Sequence, residues 1–296
     1  MEFKHIADKF YYLGGPIFSF YITDGERQTL IELGISQIVP HLVKAAQKHL
    51  GRFEPAYLIG LHSHFDHIGG AVRLKEMFPT AQLAASAHTD KIMRDPDTTI
   101  TYVETMEKIN SNPMLKMVYQ DVDEAVIFYP LGLDIILREG DGVPLDDAGK
   151  LQVLETPGHT ECSISLFHQP TKTLFVSDAC GVPFPSGRIW PTAFYDLALY
   201  KKNMQRMLNL EPHFLCLAHV GFFKGEQARR YLERSLKVTD SFFNHIAELL
   251  QIIGSEKGVL KALMDEYEND IPFIQPFIFK YGCREMIKQV AKNHET

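Results

Sequence analysis

His62-Ser63-His64-Phe65-Asp66-His67-Ile68-Gly69-Gly70 places three imidazoles and one carboxylate within six residues, a density that few structural roles need. The apolar run at 57–61 that leads into it has strand length, and Gly69-Gly70 lets the backbone pass close by into a helical pattern over 71–78. A turn leaving a strand can aim His62 and His64 at one point and Asp66 and His67 at a second, which begins two adjacent first-row metal sites. One histidine alone would read as a solvated or core residue. The set does not.

Three further apolar runs end in the same way. Residues 151–154 lead through Thr156-Pro157-Gly158 to His159, 173–176 to Ser177-Asp178, and 214–218 to His219. If these strands share a layered α/β sheet, their C-terminal ends lie side by side and residues distant in sequence meet at one edge. Around this frame, runs at 9–13, 17–23 and 28–33 read as an antiparallel start, and 36–50 as a helix with Pro40 in its first turn. A mostly helical, polar insertion spans 93–119, and 196–210 is helical. After Phe223 the chain turns helical, with Tyr231, Val238, Phe242, Ile246, Leu249 and Ile253 at helical spacing and further helices at 255–267 and 282–292. The expected organisation is an α/β domain over 1–221 and a helical extension over 222–296, which either closes over the site as a lid or serves as added core or a homodimer face.

The 296 residues, 45% apolar and 23% charged with a net charge of −7, are ordinary for a globular chain. The first nine residues lack the apolar stretch of a secretory leader, and no window reaches about 18 uninterrupted apolar residues. Cys162, Cys180, Cys216 and Cys283 are widely spaced and form no Cys-x-x-Cys pair. A cytoplasmic protein, neither exported nor membrane-spanning, is expected. The acidic balance without a basic block argues against nucleic acid as a partner. A serine nucleophile elbow, a phosphate-binding loop and a dinucleotide fingerprint are all missing.

The run from His62 to His67 matches the His-x-His-x-Asp-His signature of the metallo-β-lactamase superfamily, and with Thr156-Pro157-Gly158-His159-Thr160, Ser177-Asp178 and Ala218-His219 the chain resembles that family over roughly 10–221. The resemblance implies an αββα sandwich with a dinuclear centre. His62, His64 and His159 would hold one metal, Asp66, His67 and His219 the other, and Asp178 would bridge them together with a water or hydroxide. An aspartate at the bridge points away from antibiotic hydrolysis and towards the glyoxalase II, lactonase, phosphodiesterase and thioesterase branches. Within these, Tyr12-Leu13-Gly14-Gly15, Glu32-Leu33-Gly34-Ile35-Ser36 and the stretch from Asp178-Ala179 through Ile189-Trp190-Pro191 to Asp196 are similar to the branch of quinolone-signal response proteins, arylacyl-CoA thioesterases with a helical extension.

Two divalent ions about 3.5–4 Å apart, zinc or iron with manganese as a third option, would lower the pKa of a bridging water. The implied activity is attack of the resulting hydroxide on a thioester, ester or lactone carbonyl, with Asp66 a ligand and a candidate proton acceptor. Alternatives are phosphodiester hydrolysis, or a metal-containing regulatory or ligand-binding protein whose hydrolysis is secondary. Phe184, Trp190, Phe194 and Phe222 are expected to wall a pocket for the acyl or aryl group of a small-molecule substrate, although loop packing accounts for them equally well.

Overall fold

The computed structural model describes residues 1–110, 113–119, 125–146 and 149–294. Strands β1 (Glu2–Ala7), β2 (Phe10–Gly14), β3 (Ser19–Thr23) and β4 (Gln28–Ile31) open the chain, followed by helix α1 (Val39–Leu50). Helix α1 accepts Pro40 in its first turn, where a missing N–H breaks no helical bond, and buries Val39, Leu42, Val43 and Ala46 on one stripe. Next come β5 (Pro55–Ile59), α2 (Phe65–Ile68), α3 (Ala71–Met77), β6 (Gln82–Ser86), α4 (Ala87–Met93), α5 (Pro96–Asn110), α6 (Pro113–Val118) and β7 (Ile135–Leu137).

The second half begins with β8 (Gly142–Pro144), β9 (Lys150–Glu155), β10 (Ile164–His168) and β11 (Thr173–Ser177), then a small hairpin of β12 (Val182–Pro183) and β13 (Ile189–Trp190). It continues through α7 (Leu197–Asn209), β14 (Phe214–Leu217), β15 (Phe222–Lys224), α8 (Glu226–Ile253), α9 (Glu256–Glu266), α10 (Ile271–Ile274) and α11 (Pro276–His294). Helices α7 and α9 start at side-chain caps, Asp196 accepting from the Leu199 N–H and Ser255 from the Gly258 N–H.

Strands β1 to β7 form one sheet in sequence order, antiparallel up to β4 and parallel from β4 onwards. The other sheet runs β15-β14-β11-β10-β9-β8, with β11 and β14 parallel. Phe10, Tyr21, Ile59, Val153, Phe175 and Cys216 fill the space between the sheets. Their neighbours along the same strands point outwards: Leu58 beneath α1 and α3, and Leu174, Val176 and Leu215 beneath α7, α8 and α11. Both faces of the central strands are therefore covered, and their sequences read as unbroken apolar runs. The architecture is the expected αββα sandwich. Strand β15 lies just past residue 221 and pairs with β14. The helices that follow share one buried cluster with the outer face of the second sheet, in which Trp190, Tyr231, Phe279 and Met286 meet.

The two sheets are stitched together at one edge. Ile164 donates its N–H to Leu61 O, Ser19 donates to Ala218 O, and the Tyr21 hydroxyl lies 2.6 Å from Leu217 O and 2.8 Å from Gly221 O. Because β11 and β14 are parallel neighbours, Asp178 and His219 leave the sheet at this edge, opposite the turn after β5 that carries His62. Among the described residues, no helix is long and apolar enough to cross a membrane.

Candidate metal centre

The turn after β5 carries His62 and His64, and α2 carries Asp66 and His67. The loop after β9 presents His159, and the ends of β11 and β14 present Asp178 and His219. At three strand ends a non-glycine residue takes positive φ: Glu32 (67°), Ser177 (51°) and Val220 (69°). Such turns cost energy and are kept where side chains must be re-aimed.

His62 Nε2 lies 3.1 Å from His64 Nδ1 and 3.3 Å from His159 Nε2, and the last two nitrogens are 3.1 Å apart. Ligands of a tetrahedral ion with metal–nitrogen bonds of about 2.0–2.1 Å stand about 3.3 Å from each other, so this triangle has the size of three corners of such a site. A second group forms alongside. His67 Nε2 is 3.4 Å from Asp66 Oδ2 and from Asp178 Oδ2, while His219 Nε2 is 3.8 Å from Asp66 Oδ2 and 3.6 Å from Asp178 Oδ1. Asp178 Oδ2 also faces His159 Nε2 at 3.7 Å, which puts this one carboxylate between the two groups. All seven sequence-predicted donors thus come together, in overlapping triads whose donor atoms lie within 4.8 Å of one another.

The opposite ring nitrogens are anchored. His159 Nδ1 donates to Thr192 O at 2.6 Å, His219 Nδ1 to Ile17 O, and His62 Nδ1 lies 3.1 Å from Ser177 Oγ. His67 Nδ1 meets Glu32 Oε2 at 2.9 Å, both groups being buried. These contacts fix the tautomers and turn the other nitrogen of each ring into the site. His67 Nε2 is left buried without a hydrogen-bond partner. A buried unpartnered nitrogen is costly unless something absent from the bare chain satisfies it, and a divalent cation among these donors would do so. The residues present fit a metal centre.

The electrostatics of the bare chain differ between the two groups. Burial, reinforced by the neighbouring imidazoles, lowers His62 well below its ordinary value and takes His64 down to about 3. His159 is lowered too, chiefly by burial. These three rings are neutral at physiological pH, as ligation requires. Burial opposes charge on His67, but Asp66, Glu32 and Asp178 outweigh it and hold the ring well above its usual range; His219 is raised in the same sense, Asp178 outweighing burial. Burial likewise opposes ionisation of Asp66, yet His67 and His219 hold it at about 2, and Asp178 lies well below the carboxylate range for the same reason. The second group is a pocket that already attracts positive charge.

The donors open onto a cavity of about 630 Å³. One wall comes from α5, with Thr98, Thr101 and Tyr102, and the other from α10 and α11, with Ile274, Phe277 and Tyr281. Trp190 and Phe194 line it, the Phe194 ring centred 4.9 Å from that of His159. Phe184 and Phe222, expected beside them, lie elsewhere. The hairpin after Asp178 turns Phe184 into the outer core against Tyr267, and β15 packs Phe222 on Tyr12 and Phe214. Closeness in sequence to a ligand did not make them neighbours of it.

Sequence reasoning also missed residues that steady the site. Tyr102 donates its hydroxyl to Ser63 O, between the ligands His62 and His64, and Glu32 orients His67. Glu32 entered the reading only through a motif likeness, and the sole local signal is its position at the end of a strand. Glu32→Gln is expected to weaken metal binding at the donor group of His67 by about 10–100-fold, the range for partners of metal-bound histidines, with little change in fold. Metal titration with circular dichroism as control measures this, and unchanged affinity would remove Glu32 from the account.

Comparison with known proteins agrees with this geometry. A family model for the metallo-beta-lactamase superfamily matches residues 12–219, and the chain belongs to that superfamily. The metallo-beta-lactamase fold-containing protein ST1585 of Sulfurisphaera tokodaii is 25% identical over 224 residues, which are 74% of this chain and 79% of that protein. Its crystal structure matches with a TM-score of 0.56 at 24% identity, over 75% of this chain and 80% of that one. TTHA1429, a metallo-beta-lactamase family protein from Thermus thermophilus, gives a TM-score of 0.68 at 14% identity, over 97% of this chain and 94% of the other. A beta-lactamase domain protein from Burkholderia ambifaria gives 0.66 at 19% identity, over 97% and 87%. All three structural likenesses are of fold alone, and the last two take in the C-terminal helices. Fold and clustered donors together support a metal-dependent hydrolase.

Proposed function

We propose that the protein is a dinuclear hydrolase of thioesters, esters or lactones with an apolar acyl or aryl group. The observation that carries this reading is the placement of Asp178 between two donor groups, one of three imidazoles and one of Asp66, His67 and His219. His62, His64 and His159 would hold one ion, the second group the other, and Asp178 would serve both. Divalent ions at these donors, zinc or iron with manganese as the third choice, would supply Lewis acidity and a water whose pKa approaches neutrality.

The remaining work falls to the chain. Asp66, which lines the cavity, would be a ligand and is the candidate proton acceptor. Trp190 and Phe194 pack the acyl group beside His159 and exclude water from it. Hydrolysis breaks the carbonyl C–S or C–O bond, releasing an acid and a thiol or alcohol. Helices α10 and α11 line the outer wall of the cavity, and of the roles open to the extension we favour the lid. Cys162, Cys180, Cys216 and Cys283 are buried free thiols, which suits the reducing cytoplasm in which we place the protein.

The test is hydrolysis by metal-reconstituted protein of acyl thioesters, lactones and a phosphodiester, with His64→Ala as control. Turnover of a carbonyl substrate that the variant loses is expected. Turnover of the phosphodiester alone would replace the bond type, and no turnover by fully metallated protein would replace the enzyme with a binding protein.

A further inference from the structure

The cavity is apolar in its walls, but its charged groups are all of one kind away from the histidines. Besides Asp66 and Asp178 at its floor, Asp95 and Asp97 line it at the exposed N-terminal end of α5, and among the described residues no lysine or arginine lines it. Asp95 is fixed there, accepting from Thr98 N–H at 3.0 Å and from the Thr98 hydroxyl at 2.7 Å, and these bonds hold its carboxyl below the ordinary range. The adjacent Arg94 does not neutralise it, because its guanidinium is engaged with Asp90 at 2.9 Å. A metal at the floor would satisfy the unpartnered His67 Nε2 and offset Asp66 and Asp178. Among the described residues no salt bridge neutralises Asp95 or Asp97 at the mouth, Asp95 being held by the Thr98 hydrogen bonds.

We propose that the cavity selects acyl compounds whose leaving group, which emerges past Asp95 and Asp97, is neutral or cationic, and disfavours those whose leaving group carries phosphate, sulfate or carboxylate. This rests on the hydrolase reading for the reaction but not for the binding preference. A carbonyl at the metal donors with its acyl chain against Phe194 and Trp190 directs the leaving group outwards between α5 and α11. Carboxylates on one side of such an opening set a local potential that favours cations and repels polyanions, an effect that salt weakens.

Three hexanoyl thioesters separate the cases: those of thiocholine (cationic), N-acetylcysteamine (neutral) and coenzyme A (polyanionic). On the metallated protein the first two are expected to exceed the third at least about tenfold in kcat/KM at low salt. The matching S-hexyl thioethers, which are not hydrolysed, are expected to bind in the same order, read by the fluorescence of Trp190, the only tryptophan in the chain and one that lines the cavity. Asp95→Asn with Asp97→Asn, which keeps a capping side chain at 95, is expected to bring the three ligands to within a few fold of each other. A coenzyme A ligand bound as well as the others, an order unchanged in the double variant, or no binding of any thioether would overturn the proposal. Ordered binding without hydrolysis of any thioester would leave it standing and overturn the hydrolase reading instead.

Discussion

Asp178→Asn is expected to lower kcat/KM for the carbonyl substrate by at least about 10³-fold and to reduce the metal content of the protein, while the fold persists. Asp178 faces His67, His159 and His219 within 3.4–3.7 Å, so its carboxylate reaches both donor groups. Asparagine keeps the volume and one oxygen but removes the negative charge. Lewis-acid stabilisation is worth several kcal/mol and each factor of ten in rate about 1.4 kcal/mol, so disabling one ion of the proposed dinuclear centre reaches this size. Steady-state kinetics with metal analysis of the same samples measures it. A variant retaining two ions and a tenth of the activity would show that Asp178 is not shared between the groups.

Gly158→Ala is expected to destabilise the protein by about 3–5 kcal/mol, or to prevent folding, through backbone geometry rather than chemistry. Gly158 adopts φ of 141°, and an added Cβ would stand 2.4 Å from Tyr200 Cα and 2.5 Å from Tyr200 N. Both contacts are with helix backbone, which yields little. The Gly158 carbonyl accepts from the N–H groups of Tyr195 and Asp196, and the Pro157 carbonyl from Asn203, so displacement here also moves His159. Strain and overlap each contribute roughly 1–3 kcal/mol. At about 2–4 °C per kcal/mol, Tm should fall by roughly 10 °C. Gly140→Ala provides the contrast, since Gly140 has φ of 84° but nothing within 4 Å of the added carbon, and only the strain should register. Equal losses at both positions would contradict the close-approach argument.

The metal donors were legible in the sequence because each sits where an apolar run stops, and such runs mark central strands. Leu174, Phe175 and Val176 show why: alternate residues enter different cores, so the period-two pattern vanishes and only length and termination remain. Strand β1 was hidden because residues 2–7 lie at the sheet edge, where only Ile6 is buried and Phe3 and Ile6 are too few to form an apolar run. Which individual residues steady and close the site was only partly legible. Tyr102, Glu32 and Tyr281 reach it through contacts between elements far apart in the chain, and a local pattern records which face is apolar but not what that face meets. Phe184 and Phe222 fail for the same reason in reverse.

The most direct test of the central claim is the number of metal ions per chain after reconstitution with zinc or ferrous ion and removal of excess, determined by elemental mass spectrometry. Two convergent donor groups sharing Asp178 predict about two ions per chain, falling to one or fewer in Asp178→Asn. A fully folded wild-type chain that holds about one ion or fewer would contradict the dinuclear centre.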